Sequence, residues 1–215
     1  MAAGAGDHLM PDRLVLHEYA ASANCYKVRL TAAHLGLTLE RREYDIMRGE
    51  TRTAEFLANV NANGRIPVLQ AGDRSIPESN AACFYLADGS PLIPEERFDR
   101  ADMLRWMFFE QYSHEPNVAT LRFWIAFIGE DALSEAQRMQ MPLKRAAGDA
   151  ALKLMDEHLA SRAFFVGDRL SLADIALYAY THVAGEGRFD LGLYPHVGDW
   201  LARVASQPRH IGMAA

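Results

Sequence analysis

Between Ser90 and Phe98 two prolines, Pro91 and Pro94, stand in a short polar segment that no helix can cross, and the periodicity of the chain changes there. Upstream, short apolar runs alternate with helical patterns. Downstream, Arg100 to Ile128, Ser134 to Leu159, Leu172 to Val183 and Tyr194 to Ala205 all carry apolar residues at helical spacing, with turn or capping residues between them and no convincing strand. The spacing predicts two units: an α/β domain over residues 13–88, a linker over 89–98 and an all-helical domain over 99–215. With 215 residues, half of them apolar, each unit can bury a core.

In the first unit Leu14 to Tyr19 is an apolar run, and Ala20-Ala21-Ser22-Ala23-Asn24 breaks it before a helical pattern that Gly36 is placed to stop. Leu39 to Ile46 alternates as a second strand, so the opening is a β-α-β unit with parallel strands. Thr51 to Val60 can form a short helix. Ile66 to Leu69 reads as a third strand, and Gly72-Asp73 as a tight turn into a fourth at Arg74-Ser75-Ile76, which makes the sheet mixed. A helix over Ala81 to Ala87 follows caps in Pro77 to Asn80. The order is βαβαββα.

Composition removes several classes of function. A net charge of −6 with scattered Lys and Arg provides no basic stripe for nucleic acid or an anionic membrane. No apolar run reaches the roughly 20 residues that span a bilayer. Cys25 and Cys83 are too few and too far apart for a disulfide framework or a zinc site, which favours a reducing, cytoplasmic compartment. The opening Met1 to Arg13 lacks a signal-peptide core and reads as a loose tail. No metal cluster, Walker loop, dinucleotide glycine motif or Gly-x-Ser-x-Gly elbow occurs.

Two constellations carry chemistry. Ser22 and Cys25 stand at the opening of the first helix, where unpaired N–H groups and the positive dipole end favour an anion such as a thiolate. Equally, Ser22 or Asn24 is a helix cap, and Cys25 a small buried hydrophobe. The second constellation is Gly64-Arg65-Ile66-Pro67 followed by Glu78-Ser79, whose members singly also read as a strand-opening proline and a helix-capping serine. Farther on, Ser171 to Asp174 reads as a capping box.

With these pieces together the chain resembles the cytosolic glutathione transferase superfamily over about residues 13 to 205, near its bacterial theta-, nu- and beta-like serine types. The resemblance implies a thioredoxin-like domain followed by the superfamily's helical domain, with glutathione as co-substrate and no metal. It implies a cis Pro67, Ile66 pairing its backbone with the cysteinyl part of glutathione, and Glu78 and Ser79 holding the γ-glutamyl end. Thr51 and Arg65 fall near positions that meet the glycine end. Ser22 matches the theta-like residue that activates the thiol, Cys25 aligns with the beta-like cysteine and is the alternative, and Asn24 is a helper. A hydroxyl is sufficient to activate the thiol, because lowering a thiol pKa of about 8.5 by about two units takes roughly 3 kcal/mol. One hydrogen bond to the anion supplies about 1.5–3 kcal/mol and the helix end about 0.3–1.

The aromatic run Arg105 to His114 reads as core and subunit interface, and the resemblance adds Phe109 and Tyr112, with Arg122 or Trp124 beyond, as candidates for an electrophile pocket. It also implies a cytoplasmic homodimer engaged in detoxification. Two departures touch loops: Asn61-Ala62 replaces the usual Asn-Pro, and Ile76-Pro77 precedes Glu78. The expected reaction is attack of the glutathione thiolate on a small electrophile. The alternatives are glutathione-dependent disulfide reduction and a non-catalytic interaction module.

Overall fold

The computed structural model describes residues 13–215. The first domain holds β1 (Leu14–Glu18), α1 (Ala23–Leu35), β2 (Glu40–Glu43), α2 (Ala54–Asn59), β3 (Val68–Ala71), β4 (Arg74–Pro77) and α3 (Ser79–Ala87). Its sheet runs β2-β1-β3-β4, with β1 parallel to β2 and antiparallel to β3, and β3 antiparallel to β4. This is the mixed four-stranded sheet expected from the order of elements. Every residue of the central strand β1 is buried, whereas the edge strand β2 is exposed throughout.

β2 is shorter than the alternation over Leu39 to Ile46 suggests. Asp45 accepts hydrogen bonds from the Met47 and Arg48 N–H groups at 2.9 and 3.2 Å, and this side-chain turn captures the backbone before it can extend the ladder. Thr51 to Val60 likewise divides into a 3₁₀ turn over Glu50–Arg52 and α2, because Thr53 caps α2 by accepting from Phe56 N–H.

The second domain is helical: α4 (Arg97–Phe109), α5 (Glu115–Arg122), α6 (Glu135–Leu159), α7 (Leu172–Thr181) and α8 (Pro195–Ala205). The segment predicted as one helix from Arg100 to Ile128 is a continuous rod with two π turns, Glu110–His114 and Phe123–Ile128. Pro116, which cannot donate to the ladder, follows the first π turn, and Glu115 N–H bonds instead to Glu110 C=O.

α7, apolar on all sides, is buried along its whole length and packs on α1, α3 and α4, so one core runs through both domains. The Ser171 to Asp174 start of α7 is a junction. Asp174 accepts from Ser171 N–H and Oγ at 2.9 Å, and from Phe165 N–H and Trp200 Nε1 at 3.0 Å. Beneath the first domain, Lys27 of α1 and Glu110 form a fully buried ion pair at 2.7 Å, and Asn80 of α3 donates to the other Glu110 oxygen at 3.0 Å. None of the helices is long and apolar enough to cross a membrane among the described residues.

Candidate functional site

α1 begins at Ser22 because the serine stays extended (φ −80°, ψ 121°) and its Oγ accepts from Cys25 N–H at 3.4 Å. Accepting that bond leaves the hydroxyl proton available, with the Cys25 thiol beside it. The turn before it is pinned from the second domain. Arg122, buried at the end of α5, donates to Ala21 C=O at 3.0 Å and pairs with Glu186 at 2.7 Å.

Cys25 stands in the first turn of α1. Its thiol is fully buried and accepts from Tyr19 N–H at 3.5 Å; burial pushes it up to about 12, against which the Tyr19 and Ser22 hydrogen bonds pull only partly. Cys83 is buried too, and burial pushes its thiol up to about 11. Neither supplies a thiolate near neutral pH.

The loop leading into β3 is built around Asn61, which donates from Nδ2 to Arg65 C=O at 2.9 Å and accepts from Asn63 N–H at 3.0 Å. Gly64 sits at φ 63° against the Arg52 side chain, where a Cβ would lie 2.6 Å from the guanidinium, so glycine is required there. The Ile66–Pro67 peptide is cis. After the β3–β4 hairpin, Glu78 takes a left-handed φ of 72° ahead of α3 and is exposed, while Ser79 is buried at the helix start.

These pieces meet in one cleft. Of the predicted residues, Asn24, Arg65, Ile66, Pro67, Glu78 and Ser79 line it; Asn61, Gln111 and Glu115 complete it. Ser22 stands at the start of the helix whose first turn carries Asn24. Thr51 is buried in its 3₁₀ turn and does not line the cleft. A chain of hydrogen bonds crosses the floor: Ser79 Oγ donates to Asn24 Oδ1 at 3.3 Å, and Asn24 Nδ2 donates to Glu115 Oε1 at 3.3 Å. Burial pushes the Glu115 carboxyl above its usual range, opposed in part by Lys27, Asn24 and Arg65. Acid, guanidinium, hydroxyl and two helix N-termini together can hold a small zwitterion.

The aromatic side chains are distributed differently from the expectation. Phe109 packs edge-on against Trp106 with centroids 5.2 Å apart, and Tyr112 is 88 % exposed; neither lines the cleft. The rings next to the Tyr19–Ser22 turn are Phe127, 6.5 Å from Tyr19, and Phe123, stacked on Phe127 at 5.8 Å. Trp124 carries Lys144 over its ring. Beside the cleft, α3 and α4 enclose an apolar groove of about 650 Å³ floored by Phe84, Tyr85, Leu104, Met107 and Phe108, with Glu78 and Gln111 at its junction with the cleft.

Sequence reasoning missed Gln111 and Glu115. Both lie in a helix whose aromatic neighbours dominate its pattern, and no spacing rule marks a helix face that meets another domain.

Comparison with known proteins places this architecture. Residues 14–88 match the family model of the glutathione S-transferase N-terminal domain, and residues 122–208 that of the C-terminal domain. A glutathione S-transferase structure from Pseudomonas fluorescens is 44% identical, with a TM-score of 0.88 over 94% of this chain and 99% of that one. The chain belongs to the cytosolic glutathione transferase superfamily. Glutathione S-transferase 2 of Anopheles gambiae is 29% identical over 193 residues, covering 87% of this chain and 88% of that protein. Elongation factor 1-gamma of Artemia salina is 28% identical over 177 residues, and the match takes in 80% of this chain but only 40% of that longer protein.

Proposed function

We propose that the protein is a glutathione transferase-like enzyme in which Ser22 stabilises the glutathione thiolate for attack on a small electrophile. The observation that carries this reading is the convergence of Ile66–Pro67, Glu78 and Ser79 in one cleft beside the first turn of α1. In it, Ile66 N–H and C=O hold the cysteinyl unit in extended backbone pairing. The α3 N-terminus takes the γ-glutamyl carboxylate, with the Ser79 hydroxyl proton turning from Asn24 Oδ1 to join it, Glu78 takes its ammonium, and Arg65 serves the glycine end. The sulfur then lies near Ser22, whose free proton donates to it. The thiol proton leaves to solvent, the sulfur lone pair forms the new bond to the electrophilic carbon, and the leaving group departs with its electron pair.

The burial of Cys25 weighs against a cysteine-based disulfide reductase. The electrophile enters from the side of Tyr19, with Phe109 and Tyr112 retained as candidates to be tested beside Phe123 and Phe127. The division at residues 89–98 separates the glutathione-binding unit from the helical one. In the cytoplasm the enzyme works as a homodimer whose second copy covers the α3–α4 groove, in a detoxifying role. Light scattering at micromolar concentration checks this, and a monomer mass contradicts it.

Thiolate absorbance of bound glutathione against pH tests the mechanism. The thiol pKa is expected to fall by about two units in the wild type, to return most of the way in Ser22→Ala, and to stay low in Cys25→Ser. An unchanged low pKa in Ser22→Ala overturns the role of Ser22. The matches to proteins named elongation factor 1-gamma favour a second reading, an interaction module with the same fold. Failure to bind glutathione at all supports that reading.

A further inference from the structure

The carboxylate of Glu115 has no cation of its own. It sits half-buried where α5 begins, and among the described residues it forms no ion pair. Lys27, whose charge attracts it, is held by Glu110 at 2.7 Å. Asn24 holds one oxygen, Oε1, and Oε2 takes no hydrogen bond from any described residue. A half-buried carboxylate oxygen that no side chain pairs is open to a cation arriving in the cleft. The open side of Glu115 is the cleft, which it shares with Glu78, Ser79 and Gln111.

An α-amino-acid head presents a carboxylate and an ammonium with three N–H donors. Ser79 and the N-terminus of α3 suit the carboxylate, and a single exposed Glu78 is a thin match for the ammonium. Gln111, four residues before Glu115 in the chain, lines the same cleft. We infer that Glu115, delivered from the second domain of the same chain, is the second acceptor for the ligand's α-ammonium group, with Glu78 as its partner across the cleft. This rests on the glutathione reading and deepens it. The inference gives the Glu115–Asn24–Ser79 chain a purpose. While Glu115 accepts from Asn24 Nδ2, the Asn24 amide is oriented with Oδ1 accepting the Ser79 hydroxyl proton, so one acid faces the ammonium and, through Asn24, holds the hydroxyl whose proton an arriving carboxylate takes over.

Burial pushes the Glu115 carboxyl up, and the charged groups around it are Lys27 from α1, Glu110 from the preceding π turn and Arg65 from the loop before β3. An arriving ammonium favours its ionised form, so binding is expected to weaken as the pH falls through the raised pKa.

The test compares two peptides, glutathione and its analogue lacking only the α-amino group, glutaryl-cysteinylglycine, by calorimetric titration of wild type and Glu115→Gln. Loss of a charge-assisted contact predicts that Glu115→Gln binds glutathione about ten- to a hundredfold more weakly. Its affinity for the deamino peptide is expected to stay within about twofold of wild type, as no contact to that peptide is lost. Glu115→Asp, which keeps the charge one methylene shorter, recovers part of the preference. Equal loss for both peptides, or an unaltered preference in Glu115→Gln, overturns the assignment while leaving glutathione binding intact. A wild type that binds neither peptide overturns the glutathione reading and the assignment with it. Thermal melting of both variants separates misfolding from lost recognition, and if Glu115→Gln does not fold, the preference of Glu115→Asp decides by the same criterion.

Discussion

Glu78 carries a Cβ at φ 72°, ψ 114°, a conformation that costs a non-glycine residue about 1–3 kcal/mol. Its side chain is exposed and forms no hydrogen bond within the protein among the described residues, so packing offers no reason to hold it there. Under the glutathione reading proposed above, that strain is kept for the ligand's ammonium group. Glu78→Gly is therefore expected to raise the unfolding free energy by about 1 kcal/mol in urea titrations. It should weaken glutathione binding at least about tenfold. Glu78→Ala should share the weakened binding without the stability gain, because the strain remains. Equal affinity in wild type and Glu78→Gly would remove Glu78 from the site. Glu78 and Ser79 were named through the family resemblance, since locally an acid and a hydroxyl before a helix read as caps, and both line the cleft. Glu115 was not: an acid beside Pro116 in an amphipathic segment looks like first-turn helix chemistry, and only tertiary packing shows that it faces another domain.

At the scale of elements, the strand and helix order of the first domain followed from apolar runs and periodicity punctuated by turn residues, since Gly36, Gly72 and the Ser22 cap each stop or start an element where they stand. The lengths were less legible. β2 ends early through the Asp45 turn, and the long helix of the second domain carries π turns that its apolar spacing conceals. Least legible was the joint between α1, α3 and α4. Lys27 and Glu110 look like surface charges in sequence, yet both are 0 % exposed and paired, with Asn80 closing the set. Breaking a buried pair from one side leaves an uncompensated charge, so Lys27→Met is expected to destabilise by about 3–5 kcal/mol. The double variant Lys27→Met with Glu110→Leu should recover much of that loss, since no charge is stranded. Denaturant unfolding of both variants measures the coupling; a double variant that loses the sum of both single effects would show that the pair is not a coupled unit.

For the whole molecule, the response to acid follows from its histidines. Of the eight, His17, His34, His114, His158, His182 and His210 are all held below the ordinary imidazole range, in each case chiefly by burial. His114 is the extreme: fully buried, its Nε2 against Thr181 Oγ1 at 3.0 Å, it is pushed down to about 3. His34 and His210 face each other, ring centroids 6.3 Å apart, where segment 207–215 lies along α1. The unfolded chain binds protons at these side chains near pH 6.5 while the folded one does not, so unfolding takes up protons and stability drops as the pH falls below about 6.5. His114 alone removes about 2 kcal/mol between pH 7 and 5, and the other five add to it. Asp174 and Glu115 act in the opposite sense, because burial raises both and the folded state then binds the extra proton. Their contribution enters only as those carboxyls titrate, so the histidines set the slope first. Urea unfolding at pH 7.5, 6.5, 5.5 and 5.0 should show a steady fall in midpoint beginning near 6.5, and His114→Gln should flatten it. A midpoint constant over that range would mean that these imidazoles reach water in the folded protein, and that the seam between the two domains is far more open than the packing around α7 allows.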